Sequence, residues 1–132
     1  MKAVLAGLAM TLSGCSYHYL VSASGSHGRV VFSVETAPLQ SPACLRQILV
    51  TAVEAREPVW EQKISYDQPC ANRFPVTYGE PLLGTPLLDA PAEPAMPLQP
   101  GVTYEVLTTT GATGYGSGRF TVMQDGTVRN LE

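Results

Sequence analysis

Six prolines recur between Gly79 and Gly101, namely Pro81, Pro86, Pro91, Pro94, Pro97 and Pro100. Each lacks the amide N–H that a helix interior or a central strand must donate, so neither element survives here. The stretch reads as a long surface loop or an irregular sheet edge. With 12 Gly and 11 Pro in 132 residues, the chain carries the turn supply of an all-β domain. Its length favours a single domain.

Around that stretch, short β-branched runs alternate with turn residues. Residues 29–35 (Arg-Val-Val-Phe-Ser-Val-Glu) predict a first strand, ended by Pro38 and Pro42. Residues 44–53 and 58–66 predict a hairpin about a turn at 54–57. In its second arm Trp60 and Ile64 alternate with Glu61, Lys63 and Ser65, a period of two with one buried face. Residues 73–78 predict a short further strand. Val102, Tyr104 and Val106 alternate in the next, and 119–123 and 127–131 form a closing pair across the tight-turn dipeptide Asp125-Gly126. Residues 111–118 (Gly-Ala-Thr-Gly-Tyr-Gly-Ser-Gly) read as a glycine-rich connection between strands. No helix is predicted after the N-terminal segment.

That segment has its own logic. Lys2 precedes an apolar run over residues 3–12. As a helix this run measures about 15 Å, too short to span a hydrocarbon core of about 30 Å, but right for the core of a signal peptide. It ends in Leu12-Ser13-Gly14-Cys15, which resembles the lipobox of bacterial lipoproteins. The resemblance implies that the leader, residues 1–14, is removed after Gly14. It also implies that Cys15 carries diacylglycerol on sulfur and an amide-linked acyl chain such as palmitate. Such a multi-chain anchor is effectively permanent. Ser16, where an Asp resembles an inner-membrane retention signal, implies the periplasmic face of the outer membrane.

Residues 15–28 read as a lipidated tether, Ser- and Gly-rich in its second half, leaving residues 29–132 as the β-domain. Tyr17, Tyr19 and Leu20 are expected near the headgroups. His18 and His27, the two histidines, stand nine apart without neighbouring acids and make a poor metal site. With Cys15 consumed by lipid, Cys44 and Cys70 remain, and an oxidising compartment favours their pairing as a disulfide. Closing that loop of about 25 residues stabilises by about 3 kcal/mol in the chain-entropy picture.

The element Leu98-x-Pro100-Gly101-x-x-Tyr104-x-Val106 resembles the tyrosine corner of immunoglobulin-like and fibronectin type III-like sandwiches. By that resemblance Tyr104 is the corner residue, 102–110 the penultimate strand and the domain an antiparallel sandwich of about seven strands. Cys44 and Trp60 also fall near the spacing of the immunoglobulin core Cys and Trp, which makes Trp60 a core residue. Val106 stands where the second core Cys would be, so the staple differs. A small closed barrel is the competing architecture.

Charge and motifs narrow the function. The chain has 8 basic and 11 acidic residues; loss of Lys2 with the leader leaves 7 against 11, a net −4. That balance excludes a nucleic-acid partner and a polybasic membrane patch. No Gly-x-Ser-x-Gly, His-Glu-x-x-His or phosphate-binding Gly-x-x-x-x-Gly-Lys occurs. With both histidines on the tether, a Ser or Cys nucleophile has no base. The expectation is a non-enzyme without metal or cofactor, held to the membrane by lipid. Two roles follow: a module that binds another envelope protein, or an inhibitor or immunity protein acting on a periplasmic lysozyme or toxin. The first would bind through loops or an edge strand, the second through a protruding loop such as 111–118, with Tyr115 and Arg119 as candidate contacts.

Overall fold

The computed structural model describes residues 16–26, 28–35, 44–65, 71–87 and 93–131. The leader, Cys15, His27 and Cys70 lie outside the described residues. Eight strands form: β1 (Tyr17–Ser26), β2 (Arg29–Val34), β3 (Leu45–Ala52), β4 (Glu57–Lys63), β5 (Val76–Thr77), β6 (Thr103–Thr110), β7 (Gly114–Val122) and β8 (Val128–Leu131). No helix occurs among the described residues. The strands join into one curled, mixed sheet of order β4-β3-β6-β7-β1-β2-β5, an open half-barrel, with β8 added to β7.

The expected tether is the first departure. Tyr17–Ser26 is a strand, not a flexible linker. Tyr17, Tyr19, Val21 and Ala23 alternate inward while His18, Leu20, Ser22 and Ser24 point to solvent. β1 is also the hinge of the sheet. Its first half, Tyr17 to Leu20, pairs in parallel with Gly114 to Ser117 of β7. Its second half, Val21 to Ser26, pairs antiparallel with β2. The β-domain therefore begins near residue 17, twelve residues before the expected boundary at 29.

The concave side holds the core. Phe32, Leu45, Ile48, Val50 and Val122 are wholly buried there, with Val30, Val106 and Phe120 almost so. A run of aromatic contacts crosses it. Trp60 meets Tyr78 edge-on at 5.2 Å between centroids, Tyr78 meets Phe32, Phe32 meets Phe120 at 5.7 Å, and Phe120 stacks on Tyr104 at 5.5 Å. Such pairs add directional packing to the burial itself.

The hairpin of β3 and β4 turns at 53–56, one residue earlier than expected, with Arg56 at positive φ. The spacing of Cys44 and Trp60 acquires a different meaning. Cys44 heads β3 and Trp60 lies in β4, the third and fourth strands. The additional strand at 17–26 moves every later strand along by one.

The described parts of the proline-rich stretch, 79–87 and 93–101, form an irregular edge. Met96 N–H donates to the Val59 carbonyl at 2.8 Å and Leu87 N–H to the Lys63 carbonyl at 3.0 Å. Leu82 and Leu98 are buried beneath it. The segment thus straps the outer edge of β4, where unpaired backbone would otherwise invite edge-to-edge association.

Tyr104 stands near the start of β6. Its ring is buried, and its hydroxyl accepts a hydrogen bond from the Gln99 N–H at 2.8 Å. The bond ties the end of the proline-rich strap to β6. Tyr104→Phe keeps the ring and removes that acceptor, so it should cost about 1–2 kcal/mol. Urea unfolding monitored by near-UV circular dichroism measures the loss, and an unchanged midpoint would show that the bond contributes nothing.

Candidate functional site

The glycine-rich stretch is not a protruding loop. Only residues 111–113 turn, and Gly114–Val122 is strand β7, between β6 and β1. Its glycines recur at every second position for a steric reason. A Cβ on Gly114 would strike the Tyr17 ring and Thr110 Oγ1. On Gly116 it would strike the Tyr19 ring and Thr108 Oγ1, and on Gly118 the carbonyl oxygen of Val21. The two tyrosines of β1 lie across the bare face of β7 and reach β6 beyond it. Tyr19 shares a hydrogen bond with Thr108 at 2.7 Å, and Tyr17 one with Thr110 at 3.4 Å. Burial pushes the Tyr19 phenol above its ordinary pKa, against the lowering effect of the Thr108 bond. It serves as a neutral hydrogen-bonding group. Tyr78 is pushed up likewise by burial, and its hydroxyl donates to the Met96 carbonyl at 2.6 Å.

The convex face carries the accessible chemistry. Cross-strand register lays it out in rows. One row runs Lys63, Gln47, Thr109, Tyr115, His18, and the next Glu61, Leu49, Leu107, Ser117, Leu20. A third brings Thr51, Glu105, Arg119 and Leu131 together. Leu20, Leu107, Tyr115 and Leu131 are large apolar side chains left exposed on this face.

A groove opens where the sheet forks. β7 pairs with β1 through its first half and with β8 through its second, so β1 and β8 diverge from a common neighbour. Asn130 of β8 spans the gap. Its side-chain oxygen accepts from the Ala23 N–H and its amide donates to the Ala23 carbonyl, both at 2.8 Å. One amide thereby replaces a missing rung of the ladder. The open groove has a volume of about 860 Å³. Leu20 and Leu131 form its apolar sides, Ser117 and Gly118 line it from β7, and Glu105, Arg119 and Glu35 supply charge.

The sequence-expected contacts have split fates. Arg119 lines this groove and is ion-paired with Glu105 at 3.3 Å. Tyr115 stands apart from it, 44 % exposed, with its ring 6.0 Å from that of His18. Neither is on a loop. Trp60 is buried in the core and is not among the residues that line the groove. Cys44 is buried, and its thiol is engaged rather than free. Leu131, Glu105 and Asn130 were not singled out from sequence, and Leu20 only as a residue expected near the headgroups. They meet only through the fork, a juxtaposition of the first and last strands that no local pattern announces.

The arrangement combines apolar sides with a charged pair. Arg119 and Glu105 neutralise one another at the surface, where such a pair contributes little stability but fixes polarity and direction. Among the described residues no three His, Cys, Asp or Glu converge to hold a metal ion, and no helix is long and apolar enough to cross a membrane. The chain matches no family model, no curated protein and no solved structure.

Proposed function

We propose that this chain is a bacterial lipoprotein precursor whose mature form is a non-catalytic interaction module. Cys15 is its acylated first residue, and the periplasmic face of the outer membrane is its site. The observation that carries the reading is where β1 starts. Cleavage after Gly14 leaves Cys15 and Ser16 ahead of Tyr17, so the mature chain keeps its first strand whole and sheds only the apolar leader. The binding surface in this reading is the fork groove. The strap occupies the edge of β4, which leaves the convex face as the accessible alternative. A partner would set an apolar side chain between Leu20 and Leu131 and a polar one against Arg119 and Glu105. Cys44 pairs with Cys70 in the same reading.

We also place the domain among immunoglobulin-like sandwiches. The support is the strand order: β1 pairs with β7 through its first half and with β2 through its second, so the β4-β3-β6-β7 and β2-β5 parts of the curled sheet join along it. The Tyr104 corner lies in β6, the penultimate long strand. An inhibitor role has lost the protruding loop that was to carry it.

Cys15→Ser tests the reading in cells. The wild type should fractionate with membranes at its mature mass, and the variant should accumulate at precursor mass or leave the outer membrane. A variant that remains membrane-bound at mature mass would contradict the assignment. Hydrolytic activity of the purified protein, abolished by a groove substitution, would contradict the non-catalytic role.

A further inference from the structure

The connection between the anchor and the fold is very short. Tyr17 is already in β1, and its N–H donates to the Thr113 carbonyl at 3.1 Å. Two trans peptide steps limit the Cys15 Cα to about 7 Å from that of Tyr17. An acyl-cysteine at the edge of the hydrocarbon core therefore draws one pole of the domain into the headgroup layer. Among the described residues that pole includes the β6–β7 turn at 111–113, Cys44 whose carbonyl accepts from the Gly111 N–H, and the row next to the turn, with His18, Tyr115, Thr109, Gln47 and Lys63.

Its chemistry suits that place. The turn is Gly-Ala-Thr, without charge. Tyr115 and His18 form an exposed ring pair, each with an apolar body and a polar tip, the side-chain type that settles at membrane interfaces. The row's charged member is Lys63, whose sign matches lipid phosphate. Three carboxylates stand at the other end, Glu54 and Glu57 at the β3–β4 turn and Asp125 at the β7–β8 turn, while Glu61 and Glu105 lie mid-sheet and Glu35 beside the groove. A net-acidic chain thus keeps these acids away from an anionic bilayer.

We propose that the domain stands directly on the bilayer that holds its anchor, with Ala112 and Tyr115 in the headgroup layer, His18 at the boundary where it forms the lower rim of the fork groove, and the rest of that groove facing outward above. At about 3.3 Å per residue along β1, His18 lies at most about 10 Å from Cys15, while Ser22 beside the groove reaches to about 23 Å. The proposal rests on acylation of Cys15. It fixes an orientation that a free tether would leave random.

The test uses the full-length lipidated protein in liposomes of phosphatidylethanolamine and phosphatidylglycerol. Single cysteines replace Ala112, Tyr115, Leu131 or Glu54 and carry an environment-sensitive fluorophore, with the unsubstituted protein as the blank. Mass spectrometry of the same samples reads the acyl group. Lipids with a headgroup nitroxide should quench labels at 112 and 115 several-fold more than labels at 131 and 54. Equal, weak quenching at all four sites on acylated protein overturns the bilayer contact and leaves the lipoprotein reading intact. Protein without an acyl group overturns both. Labels at 112 and 115 that are wet in liposomes but shielded in native envelopes point to a protein partner at this pole and overturn the bilayer contact.

Discussion

Deleting Tyr17–Ser26 should abolish folding. A tether can be shortened without harm, whereas this segment supplies a strand held on both sides. The deletion removes Val21 and Ala23 from the core and the half-buried Tyr19 ring from β7. Burial at about 25 cal/mol per Å² makes those side chains worth roughly 4–6 kcal/mol together. The loss also strips hydrogen-bond partners from β2 and from the first half of β7, and leaves Asn130 facing nothing. Against a total stability of about 5–15 kcal/mol for a domain of this size, little would remain. Far-UV circular dichroism and protease resistance of the variant are the readouts. A deleted chain that still resists protease and melts cooperatively would show that residues 17–26 are not part of the fold.

The second large effect concerns Gly118. A methyl group there would collide with the backbone carbonyl oxygen of Val21, which no rotamer change can move aside. Either β1 lifts from β7 or β7 bends, at the fork that shapes the groove. Gly118→Ala should cost about 3 kcal/mol, at the upper end of ordinary overpacking. Gly116→Ala meets the Tyr19 ring and Thr108 Oγ1, side chains that can yield, so it should cost about half as much. Gly28 is the control. Nothing lies within 4 Å of its added Cβ, and Gly28→Ala should change stability by less than about 0.5 kcal/mol. Equal denaturation midpoints for Gly118→Ala and Gly28→Ala would refute the close approach of β1.

These two positions also show why part of the fold was hidden in the sequence. Tyr17, Tyr19, Val21 and Ala23 do alternate, but serines and a glycine between them dilute the pattern into something like a linker. Gly114, Gly116 and Gly118 alternate too, and glycine ordinarily signals a turn. The two weak signals explain one another only when set side by side, because the glycines make room for the tyrosines. That pairing spans almost a hundred residues, beyond the reach of any local rule. Features with local causes were legible: the Asp125-Gly126 turn, where Thr127 N–H donates to Asp125 Oδ1 at 2.9 Å, and the β3–β4 hairpin within one residue. The Tyr104 hydroxyl was legible as well, since its motif names the partner strand segment. The groove was not, since it arises in the middle of the sheet path, where β7 pairs with both the chain's first strand, β1, and its last, β8.

Membrane attachment through Cys15 is the claim on which location, orientation and partners all depend. The intact mass of the protein extracted from native envelopes, with fragmentation of its N-terminal peptide, tests it most directly. The account predicts a chain that starts at Cys15 and carries diacylglycerol on sulfur with a further acyl chain on the amine. A mature chain that starts at any other residue, or a Cys15 without lipid, would contradict it.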